Sequence, residues 1–364
     1  VAAPLCVADN LNAELKMAGD FLWGFKTLFD PSIKAGNYSA GTAGYDESMK
    51  DLVKVFTVLG KLRAMIATNE WPDTSSDLGK QLAKDGISAR SALLMIGLMA
   101  GVPTQSAHFD ASTGPKGPNE LLFAVGVSPA LAVLENGASA AALAILATHD
   151  VELQVGGSVF DNTKTNYSNR VTFTSVSFAN ALGGPTAIGK LLQAISAAPR
   201  VSANPAAVAK LNTLAATTGK VNAPTIIMTG VNDPITPAGA AKRLANLYAE
   251  QYAAEKATAF KNFRAKGYIA PLKRHLVIWS TSPTSWTTFD DAGLPISTTP
   301  AAPSTGHCNF TSKQYLAVAD LMIKASKNGY ILKDGPTRTL IRKAGNLSIS
   351  DATYVELLKF YTDN

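Results

Sequence analysis

The sequence predicts an α/β protein: a layer of alternating strands and helices together with a large, mainly helical region. Three observations predict it. From residue 223 onward the chain reads strand, helix, strand, loop, helix, the rhythm of an α/β layer. Between about residues 8 and 215 it is alanine-rich, with apolar residues at three- and four-residue steps. Its 364 residues also exceed the ~100–200 that one core usually organises. Two lobes, or one core with a large insertion, are therefore expected.

Val1 to Val7 is short and apolar without a helical period, and reads as a buried strand. In the alanine-rich part, Met49, Leu52, Phe56, Leu59, Leu62 and Ile66 form one face of an amphipathic helix. Asp77 to Ala100 is a second helical region, stopped by Gly101 and Pro103. Glu120 to His149 is a third, with breaks expected near Ser128-Pro129 and Asn136-Gly137. Val171-Thr172-Phe173-Thr174 alternates loosely, as a strand would. Leu191, Leu192 and Ile195 open a further helical piece, and Pro199 to Leu211 gives another. Ala223 to Gly230 is a continuous apolar run ending in glycine, the pattern of a buried parallel strand. A loop follows to Pro237, then a helix from Ala238 to about Ala254 with Ala241, Leu244 and Tyr248 on one side. His275 to Ser280 is the next strand, and a Ser/Thr/Pro/Gly-rich loop runs to about Gly306. The helix from Thr311 to Ser326 should open on a capping box, Thr311 with Gln314.

Two residues carry candidate chemistry. Asp233 follows directly on a predicted parallel strand, and functional groups in open α/β sheets gather at strand carboxyl ends. Asn232-Asp233-Pro234 is equally ordinary turn chemistry. His307, in Gly306-His307-Cys308-Asn309-Phe310, is the one histidine of four with a loop setting. His275 falls in a strand, and His108 and His149 fall in the helical region. With an ordinary pKa of ~6.5, an imidazole suits general base work. The order acid, helix, strand, loop, histidine is the one that closes a Ser-His-Asp triad on this fold class.

On these residues the chain resembles the α/β-hydrolases. Pro224 to Pro237 (PTIIMTGVNDPITP) is similar to their strand–acid–loop segment, and Gly306 to Phe310 (GHCNF) to their histidine segment. Val1 to Cys6 (VAAPLC) looks like the strand after the nucleophile helix in large secreted bacterial members. Those members carry a long helical cap there, which Val151 to Tyr167 also resembles. The resemblance implies a partial α/β-hydrolase sheet formed by residues 1–7 and 216–364, with 8–215 as a helical cap insertion. It implies Asp233 as catalytic acid, His307 as catalytic base, and no cofactor or metal. It implies hydrolysis of a carboxylic ester in a small-molecule or polymeric substrate, with a large apolar cap shaping the substrate pocket. Peptidase or amidase activity of the same fold, and a non-catalytic binding relative, are the alternatives.

The family also needs a Gly-x-Ser-x-Gly elbow and an oxyanion-hole loop upstream of the strand that Val1 to Val7 resembles. We therefore expect a processed or truncated start at Val1. An N-terminal fragment or second chain would carry the serine. Two in-chain serines are poorer candidates. Gly137-Ala138-Ser139-Ala140-Ala141 approximates the elbow, with Leu131-Ala132-Val133-Leu134 as a possible strand before it, but it lies in the cap-like region. Ser39 follows no β run. Val1 itself rules out an N-terminal nucleophile.

Cys6 and Cys308 read either as two buried thiols or as one disulfide. A cysteine beside the histidine is similar to the tannase and feruloyl-esterase group, where it is disulfide-linked near the nucleophile. Here its counterpart would be Cys6, on the following strand, which departs from that group's pattern. A disulfide of this kind, and the resemblance to secreted members, imply a secreted protein; the four Asn-x-Ser/Thr sequons are no more than a chain this rich in Ser, Thr and Asn produces by chance. The net charge of +6 is scattered, without a nucleic-acid footprint. No metal-ligand spacing or phosphate-binding glycine loop is present. The most apolar stretch, Leu93 to Val102, is half the ~20 residues of a membrane span.

Overall fold

A computed structural model describes residues 1–68, 70–106, 108–109, 120–214, 217–262, 267, 270–281, 306–332 and 334–350. These form two compact units, one from 1–10, 217–281 and 306–350, the other from 11–214. The chain is mixed α/β, mostly helical, with a small three-stranded mixed sheet.

In the sheet unit, β1 (Thr225–Gly230) and β2 (His275–Ser280) are parallel and in register from Thr225 opposite His275 to Gly230 opposite Ser280. The two-residue β3 (Leu347–Ser348) pairs antiparallel with the end of β2. Both faces of the parallel pair are covered, which is why each strand carries an unbroken apolar run, Ile226 to Met228 in β1 and Leu276 to Trp279 in β2. Ile227, Val277 and Trp279 face Ala241 and Leu244 of α11 (Ala238–Lys261). Ile226, Met228, Leu276 and Ile278 face Val318, Leu321 and Ala325 of α12 (Ser312–Asn328) and Ile341 of α13 (Asp334–Arg342). The expected capping box is present, with Thr311 N–H bonded to Gln314 Oε1 and Gln314 N–H to Thr311 Oγ1.

The first residues differ from the buried strand expected of them. They run parallel to β1, but only as isolated bridges from Ala2 to Thr225 and Leu5 to Met228, and Val1 and Ala2 are exposed. Pro4 has no N–H to give to a ladder, and Cys6 turns the chain away in a left-handed conformation. α13 and β3 were not foreseen. The long loop predicted up to Gly306 lies outside the described residues from 282 to 305.

The helical unit consists, among the described residues, of α1 (Leu11–Leu28), α2 (Gly41–Ala64), α3 (Asp77–Lys84), α4 (Ala89–Ala100), α5 (Glu120–Gly126), α6 (Ser128–Ala142), a π turn (Leu143–Ala147), α7 (Thr148–Val155), α8 (Tyr167–Ser177), α9 (Gly184–Ala197) and α10 (Pro205–Leu214). α1 is its central rod, in contact with α3, α4, α6 and α10. Being buried nearly all round, it places even Lys16 and Asp20 inside. The Asp20 carboxylate is satisfied there by Lys16 Nζ at 3.2 Å, Tyr167 Oη at 2.6 Å and Arg170 Nη1 at 2.7 Å.

Several local expectations fail here, each for a packing reason. The 171–174 segment is helical, within α8, where Val171 is buried and neighbouring Arg170 reaches Asp20. The β-branched character of that segment yields to tertiary contacts. Leu131 to Leu134 is helix rather than strand, and α6 runs unbroken through Asn136-Gly137. Asn136 Nδ2 donates to the carbonyls of Pro103 and Gln105, and a Cβ at Gly137 would collide with the Phe21 ring. The pair serves close helix packing instead of a turn. Asp77 to Ala100 divides at Gly86, with Ser76 and Ser88 capping the two helices. α10 starts at Pro205 instead of Pro199. Phe56, assigned to the apolar face of α2, is exposed, while Val55 and Val58 are buried. Joined through the π turn, Ser128–Val155 is long and apolar enough to cross a membrane, which the interrupted sequence reading did not anticipate. However, 61% of its most apolar window is buried inside the unit, as a core helix would be.

Candidate active site

Gly230 closes β1, and the chain turns at once into the loop that carries Asp233. The Asp233 carboxylate folds back on its own loop. Oδ1 accepts the N–H groups of Ile235 and Thr236, both at 2.9 Å, and Oδ2 accepts the Thr236 hydroxyl at 2.9 Å. This is the local bonding that makes Asx turns common after strands. It also fixes the carboxylate, which is fully buried, in one orientation.

His307 comes from the other direction, five residues before α12. Gly306 and Cys308 on either side adopt left-handed backbone, so the imidazole stands out from a tight turn. Three attachments hold that turn. Phe310 N–H bonds the Cys308 carbonyl and the Phe310 ring is buried against the sheet. Gln314, besides its cap, donates to Ser280 Oγ at the end of β2 and to the Gly345 carbonyl, both at 3.2 Å. The sulfurs of Cys308 and Cys6 lie at bonding distance, 2.08 Å, linking the turn to the segment beside β1.

The two loops bring His307 Nδ1 to 3.1 Å from both oxygens of Asp233. Nδ1–H donates, and Asp233 completes its hydrogen bonding with a fourth donor. The Asp233 hydrogen bond raises the His307 pKa above its ordinary value, partly countered by the imidazole's own desolvation. The side chain remains 38% exposed, and among the described residues no hydroxyl hydrogen-bonds its Nε2. The arrangement can orient one tautomer of an imidazole, stabilise its protonated form, and offer Nε2 to a proton donor.

Cys6, Asp233, His307 and Cys308 all place a potential ligand atom within 4.8 Å of one another. Two of these atoms are spent in the sulfur–sulfur bond, and the other two bond each other. The donor set therefore belongs to the disulfide and the imidazole–carboxylate pair, not to a cation.

The other sequence candidates stand elsewhere. Ser139 sits within α6, with no strand before it and no turn at it. Ser39 lies before α2, where its hydroxyl donates to Glu47. His275 is within β2 against Tyr248 and Tyr252. His149 is in α7. His108 lies outside any helix, with Nδ1 3.1 Å from Glu135. Gln314 is the site residue that sequence reading assigned only to a cap; its second role was not visible, because it depends on where β2 ends.

Compared with known proteins, the chain matches no family model, no curated protein and no solved structure.

Proposed function

We propose that this chain supplies the acid–base half of a secreted serine hydrolase acting on carboxylic esters. The observation that carries the reading is the His307–Asp233 pair: a buried, fully bonded carboxylate holding Nδ1 while Nε2 is left for a substrate-side proton. In the proposed reaction a serine Oγ attacks the ester carbonyl as Nε2 takes its proton. His307 then protonates the departing alkoxide. In the second half it activates water against the acyl-enzyme. Asp233 keeps the imidazole in the tautomer this requires. The serine and the oxyanion donors belong, in this reading, to a polypeptide segment outside these 364 residues. The insertion between the first segment and β1 is read as the family's cap. The pairing of Cys6 with Cys308 supports an oxidising compartment.

A fluorophosphonate probe, which esterifies activated serines, tests this on protein purified together with whatever segment accompanies it. The expected label lies on a serine outside this sequence and disappears in His307→Ala. Labelling and ester turnover that survive His307→Ala would overturn the assignment, as would a label on Ser139.

A further inference from the structure

We infer that the helical unit contains its own binding cavity for an organic acid, a carboxylate borne on an apolar body. The cavity encloses about 590 Å³ and is lined entirely by residues between Gly19 and Val201. That volume is within the ~300–1,000 Å³ of small-molecule sites. The inference does not rest on the hydrolase reading, since every residue it uses belongs to residues 11–214.

The walls are apolar: Leu22 and Trp23 from α1, Leu78 from α3, Ala144 from the π turn, and Phe160. Phe160 lies directly on Gly19, where any Cβ would collide with its ring. Two residues of this lining, Arg200 and Thr148, each hold behind it a polar atom with unmet hydrogen-bonding capacity. Arg200 Nη1 and Thr148 Oγ1 are both buried and have no hydrogen-bond partner. Thr148 is only 6% exposed. Leaving such groups unpaired is costly, and more so for a charged one. A guanidinium can only donate, and Arg200, whose side chain lines the cavity, forms no ion pair among the described residues, so an incoming carboxylate supplies the partner its charge lacks. Arg200 is also held in place, its guanidinium 5.0 Å above the Trp23 ring and 4.8 Å above that of Tyr167.

The charges that border the space settle its preference. Lys34 is paired with Glu47 and Lys26 donates to the Lys34 carbonyl, so both are engaged. Glu152 is the lining carboxylate that is partly buried. It accepts the Val159 N–H, and burial pushes its pKa above the ordinary carboxylate value. Tyr38 donates to Asp51. The guanidinium is therefore the cation left to be answered, and a carboxylate is its natural partner. The π turn reinforces the point. Its i+5 bond, from Thr148 N–H to the Leu143 carbonyl, sets Ala144, Thr148 and His149 together along the cavity. Such turns often mark functional sites.

Binding of naphthalene-2-carboxylate and of decanoate, measured calorimetrically against the matching primary amides, tests the inference. The acids should bind, and at least about tenfold more tightly than the amides. Arg200→Gln should remove that preference, weakening the acids about tenfold and the amides less. Because Arg200 also stacks on two rings, a second variant, Ala144→Leu, fills the cavity from the π turn. It should abolish binding of both acids with circular dichroism unaltered. Equal affinity for acid and amide, no binding of either acid to the unmodified protein, or acid binding undiminished in Ala144→Leu would each overturn the inference. The readout is an equilibrium, so it stands or falls separately from any turnover assigned to His307.

Discussion

At the scale of single residues, Asp233 and His307 are unequal partners. Asp233 is buried and bound by four hydrogen bonds, whereas His307 is partly exposed and tied by one side chain. Replacing the carboxylate by an amide should mis-set the imidazole while the remaining oxygen keeps the Ile235 and Thr236 N–H bonds of the loop. Asp233→Asn is expected to lower ester kcat by about 10³–10⁴-fold, the scale of losing tautomer control in such triads. Ester assays beside circular dichroism will check it. The sign of the pH effect follows from the same bond. The pair raises the His307 pKa, and the general base must be neutral. Activity should thus rise with pH through a midpoint above ~6.5, and the residual activity of Asp233→Asn should rise through a lower one. Stability runs the other way. A group whose pKa is raised by folding contributes fully below its unfolded value of ~6.5, and loses that contribution as pH climbs through its folded value. Since the imidazole is 38% exposed, solvent screening keeps the change small. Urea midpoints of the parent should fall slightly over that interval, and those of Asp233→Asn should stay level.

At the scale of elements, Gln314 joins the cap of α12 to the ends of β2 and to the turn before β3. It is 1% exposed. Gln314→Ala should cost about 1–3 kcal/mol by orphaning the Thr311 N–H, Ser280 and the Gly345 carbonyl. A urea melt will measure that loss, and ester assays should show kcat falling because His307 hangs from the same cap. In the helical unit, Gly137→Ala should cost a similar ~1–3 kcal/mol by forcing Phe21 away from α6. A melting temperature unchanged by that substitution would refute the close-packing account of Asn136-Gly137. These elements also show what the sequence makes legible. β2 could be read to the residue, since a strand buried on both faces is a continuous apolar run bounded by polar turns. The capping box could be read because it is a local pattern. α8, the unbroken α6 and the burial of α1 could not. Their decisive partners, Asp20 for Arg170, Phe21 for Gly137 and Tyr167 for Asp20, are distant in sequence. The Asp233–His307 approach lies between these cases. Each loop is locally marked, but their meeting depends on β1 and β2 being neighbours in register, which no local pattern states.

At the scale of the molecule, the sheet unit has to recruit its first ten residues across the whole length of the helical unit's sequence. Few backbone bonds bind them there: Ala2 donates to the Pro224 carbonyl just before β1, Cys6 donates to the Met228 carbonyl within it, and Ala2 and Pro4 accept from β1. Arg243 and Thr217 bond Asp9 beyond them. The Cys6–Cys308 link is therefore the strongest tie, and it closes a loop spanning 302 residues. Closing so long a loop restricts the unfolded chain and contributes about 2–4 kcal/mol, in the range usual for native disulfides. Its effect should be confined to one unit, because the helical unit has a separate core, around Phe21, Phe25, Leu94 and Met95. Differential scanning calorimetry should then show two transitions. Reduction, or Cys6→Ser with Cys308→Ser, should lower the one belonging to the sheet unit by several degrees and leave the other in place. Alkylation without prior reduction should label neither thiol. If both thiols label, or if the two transitions move together, the bridge does not have the role argued for it.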